Sequence, residues 1–138
     1  DPADAIVRTA EGRNMTYDEA VNAKLFDGVA ASAGELMTTA TAWLDQRRAK
    51  GGMRRDGAPS KWIGRPEVKA RVMGALVQVR PSLPQTESAA AVVRAMEVGL
   101  EEGWTPAVAT ERRELVRLRS TPAGRGALKA FFEKTGKK

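Results

Sequence analysis

The sequence predicts a mainly α-helical chain with at most short strands. Over most of its length apolar residues recur three and four positions apart, the spacing that places side chains on one face of a helix. Helix boundary signals stand at the ends of these stretches: hydroxyl side chains before first turns, prolines within first turns and glycines after last turns. Together these two observations place the following helices.

Two helices are predicted before residue 25. Residues 3–11 form the first, and Gly12 ends it. Thr16 and Glu19 match a capping box, in which each side chain bonds the backbone amide of the other residue, and they open a helix over 17–24. Residues 25–30, LFDGVA, are too short and mixed for a helix and predict a turn with a short strand.

A longer helix and a basic loop follow. Ser32 and Glu35 form a second capping-box pattern, which opens a helix of about 15 residues. Its apolar positions at helical spacing are Leu36, Ala40, Trp43 and Leu44. Residues 49–65 are rich in glycine and basic side chains and predict a loop, so the sequence divides into regions 1–48, 49–65 and 66–138.

The region 66–138 carries four predicted helices. Pro66 starts the first, and the second spans 86–102 with Gly103 after its last turn. The Thr-Pro pairs at 105–106 and 121–122 each place a hydroxyl at the N-cap, which predicts helices over 106–118 and 122–134. The apolar positions are, helix by helix, Val68, Val72, Leu76 and Val79; Ala89, Val92, Val93, Met96 and Leu100; Val108, Leu115 and Leu118; and Leu128, Phe131 and Phe132. Those of the second helix are predicted to face inward. Those of the last two helices are expected to form an exposed apolar stripe that docks onto a partner surface.

Composition limits the chemistry that these residues can perform. The chain has no cysteine and no histidine, so it lacks thiolate nucleophiles, disulfides and the commonest general base. It also lacks the run of about 18 apolar residues that a membrane span requires. No secretory signal opens the sequence, which favours a cytoplasmic protein, and its start at Asp1 rather than Met suggests a processed or truncated chain.

The carboxylates have structural explanations. Glu19 and Glu35 are capping-box partners, and the glutamates of the later helices predict surface ion pairs with neighbouring arginines. The residues of these expected pairs are Glu97, Glu101, Glu111, Glu114, Arg94, Arg112 and Arg113. No catalytic residue and no metal ligand is therefore assigned within this sequence.

The net charge of +6 is unevenly distributed. One cluster comprises Arg47, Arg48, Lys50, Arg54, Arg55, Lys61, Arg65, Lys69 and Arg71, and a second basic end comprises Lys129, Lys134, Lys137 and Lys138. A solvated loop and tail, nucleic acid, an anionic membrane surface and a phosphorylated ligand are all compatible with this charge. Nucleic-acid binding favours aromatic residues among the cations, and only Trp62 interleaves the first cluster, which argues against it.

The C-terminal residues resemble the end of crotonase-family proteins, the enoyl-CoA hydratase/isomerase superfamily. In that family an A-x-E segment leads through a turn to a last helix that ends A-F-x-E-K. The matching residues here are Ala109, Glu111, Ala130, Phe131, Glu133 and Lys134. The earlier segments GRNMTYDEAVNAKLFDGVA and VGLEEG follow the family order, and the tail ALKAFF is similar to the hydratase part of multifunctional fatty-acid β-oxidation α-subunits.

The resemblance implies a function in acyl-CoA metabolism. It makes the chain the C-terminal helical part of a crotonase-like α/β spiral fold, with residues 1–48 as the end of the spiral core. The family's two catalytic glutamates and its oxyanion-hole amides would then lie upstream of Asp1. By the same resemblance Phe131 and Lys134 contact acyl-CoA, which is bound as substrate with no further cofactor, although the family's arginine after the lysine is Thr135 here.

The resemblance also implies partners. They are the missing N-terminal half of the fold or a partner chain, together with other copies in a homo-oligomer built on trimers. Two alternatives from other classes stay open: a basic all-helical module that binds nucleic acid, and a non-catalytic helical scaffold.

Overall fold

The computed structural model describes residues 1–50 and 56–135, and it is helical over most of them. Within these ranges there is no strand, and the prediction of a mainly α chain is confirmed. The α-helices are α1 Pro2–Glu11, α2 Tyr17–Asn22, α3 Leu36–Ala49, α4 Pro66–Val79, α5 Glu87–Glu102, α6 Trp104–Arg119 and α7 Pro122–Thr135. Short 3₁₀ turns at Ala33–Glu35 and Arg80–Ser82 precede α3 and follow α4.

The chain divides into two compact units. Unit 1 combines residues 1–13 with the residues from Lys61 onward, and unit 2 comprises residues 14–60. This division differs from the predicted regions 1–48, 49–65 and 66–138. The difference arises because α1 packs against α4 and α5, which follow it by more than fifty residues in the sequence.

The core of unit 1 lies where α1, α4 and α5 meet. Its buried residues are Ile6, Ala10, Val72, Leu76, Val79, Leu83, Ala89 and Leu100. The predicted apolar stripes of α4 and α5 therefore face inward, with Val93 and Met96 half-buried beside them. Burial of a leucine-sized side chain stabilises a fold by about 1.5–3 kcal/mol, so this cluster supplies most of the apolar stabilisation of unit 1.

Helices α5 and α6 approach each other closely and without a linker. Gly99 is buried, and a methyl group added to it would lie 3.0 Å from the Cβ of Ala107. Gly103 has φ 109° and both ends α5 and caps α6. The prediction that Thr105 caps α6 and that Pro106 opens it is therefore wrong, because the glycine turns the chain so sharply that the helix begins at Trp104. Pro106 lies in the first turn, where a helical N–H has no intrahelical acceptor.

Helix α6 buries polar residues where an apolar stripe was predicted. Thr110 and Glu114 are buried, whereas Leu115 is exposed and Leu118 is half-buried. The face that meets α5 is set by Arg94 of that helix, which binds the Glu114 carboxylate. The predicted apolar stripe of this helix is therefore only partly covered: Val108 is half-buried like Leu118, and Leu115 lies at the surface.

Unit 2 begins with the predicted capping box at α2. The Thr16 N–H donates to Glu19 Oε2 at 2.8 Å, and the Glu19 N–H donates to Thr16 Oγ1 at 3.2 Å. The helix ends at Asn22 rather than at 24, because Lys24 takes a left-handed φ of 55°. Residues 25–30 form bends and extended chain instead of the predicted short strand, since the described residues contain no strand with which they could pair.

The second predicted capping box has a different geometry. The Ser32 hydroxyl donates to the Glu35 carboxylate at 3.2 Å, and neither side chain caps a backbone amide of α3. None of the α3 residues is buried, so its predicted stripe, which includes Leu36 and Leu44, contacts no core within unit 2.

Candidate functional site

The C-terminal helix α7 exposes its aromatic end. None of its residues is buried, and the exposed fractions are 38% for Leu128, 59% for Phe131 and 66% for Phe132. The rings of Phe131 and Phe132 meet edge to face with their centroids 5.6 Å apart. We call Leu128, Phe131 and Phe132 the α7 apolar face. It is a preformed hydrophobic surface next to basic side chains of the same helix.

The structure places both predicted site residues on α7. Phe131 and Lys134 are three residues apart on α7, a spacing that places side chains on adjacent parts of one helix face. Both side chains are exposed. A planar ring and an ammonium group so placed can stack on a base and bind a phosphate. The predicted cations Lys137 and Lys138 lie outside the described residues.

A hydrogen-bonded turn joins α6 to α7. The Thr121 hydroxyl donates to the carbonyl oxygen of Leu118 at 2.8 Å and accepts from the N–H of Gly124 at 3.0 Å. The Arg125 guanidinium donates to the carbonyl oxygen of Ser120 at 3.0 Å. The predicted N-cap at Thr121 is therefore confirmed, and we call residues 118–125 the elbow.

An ionic cluster fastens α5 to α6. The buried Glu114 carboxylate accepts from Arg94 Nη1 at 2.5 Å and from Arg117 Nε at 2.9 Å, and Arg117 Nη1 also donates to Glu87 at 2.6 Å. The hydrogen bond from Arg117, with further help from Arg94, holds the pKa of Glu114 below its ordinary value despite the opposing effect of burial. The bonds to Glu87 and Glu114 raise the pKa of Arg117.

This cluster is structural in character. A carboxylate that is held ionised by two guanidinium groups is a poor proton donor or acceptor at neutral pH. The predicted ion pairing at the surface holds for the arginines, whose side chains are 52% exposed in Arg94 and 44% exposed in Arg117, whereas the Glu114 carboxylate that they bind is buried. The sequence shows the glutamate–arginine spacing, but the burial follows only from the packing of α6 on α5.

Two open clefts lie elsewhere in the described residues. In unit 1 a cleft of about 540 Å³ lies beside the start of α5, and its lining includes the ion-paired Arg80 and Glu97 together with Leu83 and Val93. In unit 2 a smaller cleft of about 300 Å³ is lined by Tyr17, Phe26, Val29 and Leu36, among others. Neither cleft is lined by Phe131 or Lys134.

Two arginines of the first basic cluster contact tryptophan rings. Arg65 is 5% exposed with its guanidinium 5.9 Å from the centre of the Trp62 ring, and Trp62 in turn meets Trp104 edge to face. Arg47 lies 5.2 Å from the centre of the Trp43 ring and donates to the Ser60 hydroxyl at 3.2 Å. These arginines serve packing as well as charge. The predicted cluster members Arg54 and Arg55 lie outside the described residues.

Membrane spans, metal ligands and similarity to known proteins give no further indication of function. Across residues 1–50 and 56–135 no helix is long and apolar enough to cross a membrane, and no group of three or more acidic, histidine or cysteine side chains could hold a metal ion. A scan against protein-family models, a search of curated proteins and a search of solved structures each gave no match. A functional assignment therefore depends on the sequence resemblance and on the geometry of α7.

Proposed function

We propose that this chain is the helical C-terminal portion of an enoyl-CoA hydratase/isomerase-type enzyme, in which α7 docks by its apolar face onto the part that carries the catalytic residues. The observation that carries the proposal is the exposure of the aromatic rings of Phe131 and Phe132 on a helix with no buried residue. Contiguous apolar patches on a protein surface mark interaction sites. The position of these rings agrees with the family's last helix.

Each unit, taken by itself, also exposes apolar side chains outside α7. In unit 1, Leu115 and Val116 of α6 are exposed, and in unit 2, Leu36 and Met37 at the start of α3 are exposed. Each leucine-sized side chain that a partner covered would stabilise the complex by about 1.5–3 kcal/mol before the costs of association. The partner that fits this proposal is the catalytic part of the same fold.

In this proposal the chain contributes binding and positioning. The family's paired glutamates and oxyanion-hole amides would perform the proton transfer and the stabilisation of the thioester enolate in the upstream part. The residues of α7 would contact the CoA moiety, with the Phe131 ring beside the adenine and the Lys134 ammonium near a phosphate. Both side chains are exposed on the last turns of α7, where a ligand can reach them.

Hydration of crotonyl-CoA tests the proposal. The assay compares the isolated chain with a protein that also contains the residues encoded upstream of Asp1. We expect no turnover from the isolated chain and turnover from the longer protein. Turnover by the isolated chain that is lost on changing one of its own glutamates would contradict the proposal, as would a longer protein that lacks any activity on acyl-CoA thioesters. Nanomolar binding of duplex DNA in physiological salt would favour the nucleic-acid alternative.

A further inference from the structure

Helix α7 has a defined direction although its side chains contribute nothing to a core. Only two residues, Ser120 and Thr121, separate it from α6, and none of its own residues is buried. Its direction must therefore be fixed by the backbone and by the short contacts of the elbow. Those contacts include hydrogen bonds of the Thr121 hydroxyl to both helices and of the Arg125 guanidinium to the Ser120 carbonyl oxygen.

Thr121 connects the end of one helix to the start of the next. Its N–H and its hydroxyl both donate to the carbonyl oxygen of Leu118, at 3.1 Å and 2.8 Å. The same hydroxyl accepts from the Gly124 N–H, and the Thr121 carbonyl oxygen accepts from the Arg125 N–H at 3.0 Å. One side chain thus satisfies a last-turn carbonyl of α6 and a first-turn amide of α7.

Gly124 allows α7 to pack against the end of α6. A Cβ added to Gly124 would lie 2.0 Å from the carbonyl oxygen of Leu118 and 2.9 Å from its carbonyl carbon. Both are backbone atoms that cannot rotate away, so any other residue would force the two helices apart. Gly126 offers a contrast on the same helix, since a Cβ added there would meet nothing within 4 Å.

We propose that the elbow is a positioning device, in which Thr121 and Gly124 fix the direction of α7 before any partner is bound. The device presents the α7 apolar face and Lys134 in one orientation. Its rigidity can be tested on the chain alone, whereas its effect on acyl-CoA binding rests on the proposed function. Because α7 already has its direction, no conformational entropy is lost in ordering it when a partner or ligand binds. Freeing one backbone residue of the elbow would weaken binding by roughly tenfold.

The experiment measures the distance between α6 and α7 by pulsed electron paramagnetic resonance. Because the chain has no cysteine, spin labels can be placed on Arg112→Cys in α6 and Ala130→Cys in α7, both at exposed positions. The parent and Gly126→Ala should give the same narrow distance distribution. Gly124→Ala should shift or broaden it, and Thr121→Val should broaden it through loss of both hydroxyl bonds.

Two results of this measurement would refute the proposal that the elbow fixes the direction of α7. One is that Gly124→Ala and Gly126→Ala give distance distributions with the same mean and the same width. The other is a parent distribution that is already broad. The fluorescence of Trp62 and Trp104, which lie in unit 1, verifies that each variant is folded. If Gly124→Ala does not fold, Thr121→Val decides the question, and an unchanged distribution in that variant overturns the proposal.

A second readout separates the device from the proposed function. In the longer enzyme, Gly124→Ala should raise the KM for acyl-CoA about tenfold, by the cost of freeing one backbone residue, while Gly126→Ala should leave it unchanged. A shifted distance with an unchanged KM would keep the positioning device and overturn the role of α7 in binding acyl-CoA. If Gly124→Ala leaves the α6–α7 distance unchanged and no variant turns over acyl-CoA, both the elbow proposal and the proposed function are refuted.

Discussion

The Phe132→Ala substitution should have different costs in the isolated chain and in the longer enzyme. In the isolated chain the ring is 66% exposed, so only about a third of its surface is removed from water. Full burial of such a side chain contributes about 1.5–3 kcal/mol, and a third of that predicts a loss of about 0.5–1 kcal/mol in the free energy of unfolding. Once α7 is docked, the same truncation should cost about 3–5 kcal/mol, the usual range for a buried phenylalanine.

Urea denaturation of both proteins measures this difference. Leu100→Ala is the matched control, because Leu100 is buried in the core of unit 1. This substitution should lower the free energy of unfolding by about 2–5 kcal/mol in both proteins. A loss of several kcal/mol for Phe132→Ala in the isolated chain would show that the ring is already packed. A loss below 1 kcal/mol in the longer enzyme would show that nothing covers it, and either result refutes the reasoning.

Three further predictions concern the ligand, the ionic cluster and the α5–α6 contact. Lys134→Ala in the longer enzyme should raise the KM for acyl-CoA and leave that for a truncated pantetheine thioester nearly unchanged; an equal effect on both would exclude a phosphate contact. The pKa of Glu114 is below its ordinary value of 4.5. The ionised carboxylate therefore contributes fully to the free energy of unfolding above about pH 4.5, and this contribution is lost as the pH falls through the folded-state pKa. Urea midpoints measured against pH should therefore decline less steeply in acid for Glu114→Gln, and identical profiles would contradict this. Gly99→Val should lower the free energy of unfolding by about 1–3 kcal/mol, because its side chain would enter the space beside Ala107; an unchanged urea midpoint would contradict the close approach.

Local signals predicted the parts of the fold that depend on neighbouring residues. The capping box of Thr16 and Glu19, the cap at Thr121 and the helix end at Gly103 each require only a few adjacent residues, and all three are present. The apolar stripe of α4 also faces the core as predicted, because one side of that helix is clearly apolar.

Features that depend on packing between distant residues could not be predicted in the same way. Glu114 is buried where Arg117 and, twenty positions earlier on the adjacent helix, Arg94 both bind its carboxylate, and apolar periodicity carries no information about such a polar contact. For residues 25–30 composition suggested a strand, but a strand requires a partner that the described residues do not provide. In the candidate site, the sequence places Phe131 and Lys134 on one helix, whereas the exposure of the ring and the elbow that orients it depend on the three-dimensional structure.

Hydrogen exchange at the backbone amides of α7 tests the docking of this helix most directly. The amides of residues 123–135 should exchange faster than those of α5 in the isolated chain, because α7 has no buried residue. In the longer enzyme we expect their exchange to slow by at least about tenfold, the factor that corresponds to about 1.4 kcal/mol of stabilisation. Equal exchange rates for α7 in the two proteins would contradict the claim that its apolar face docks onto the catalytic part.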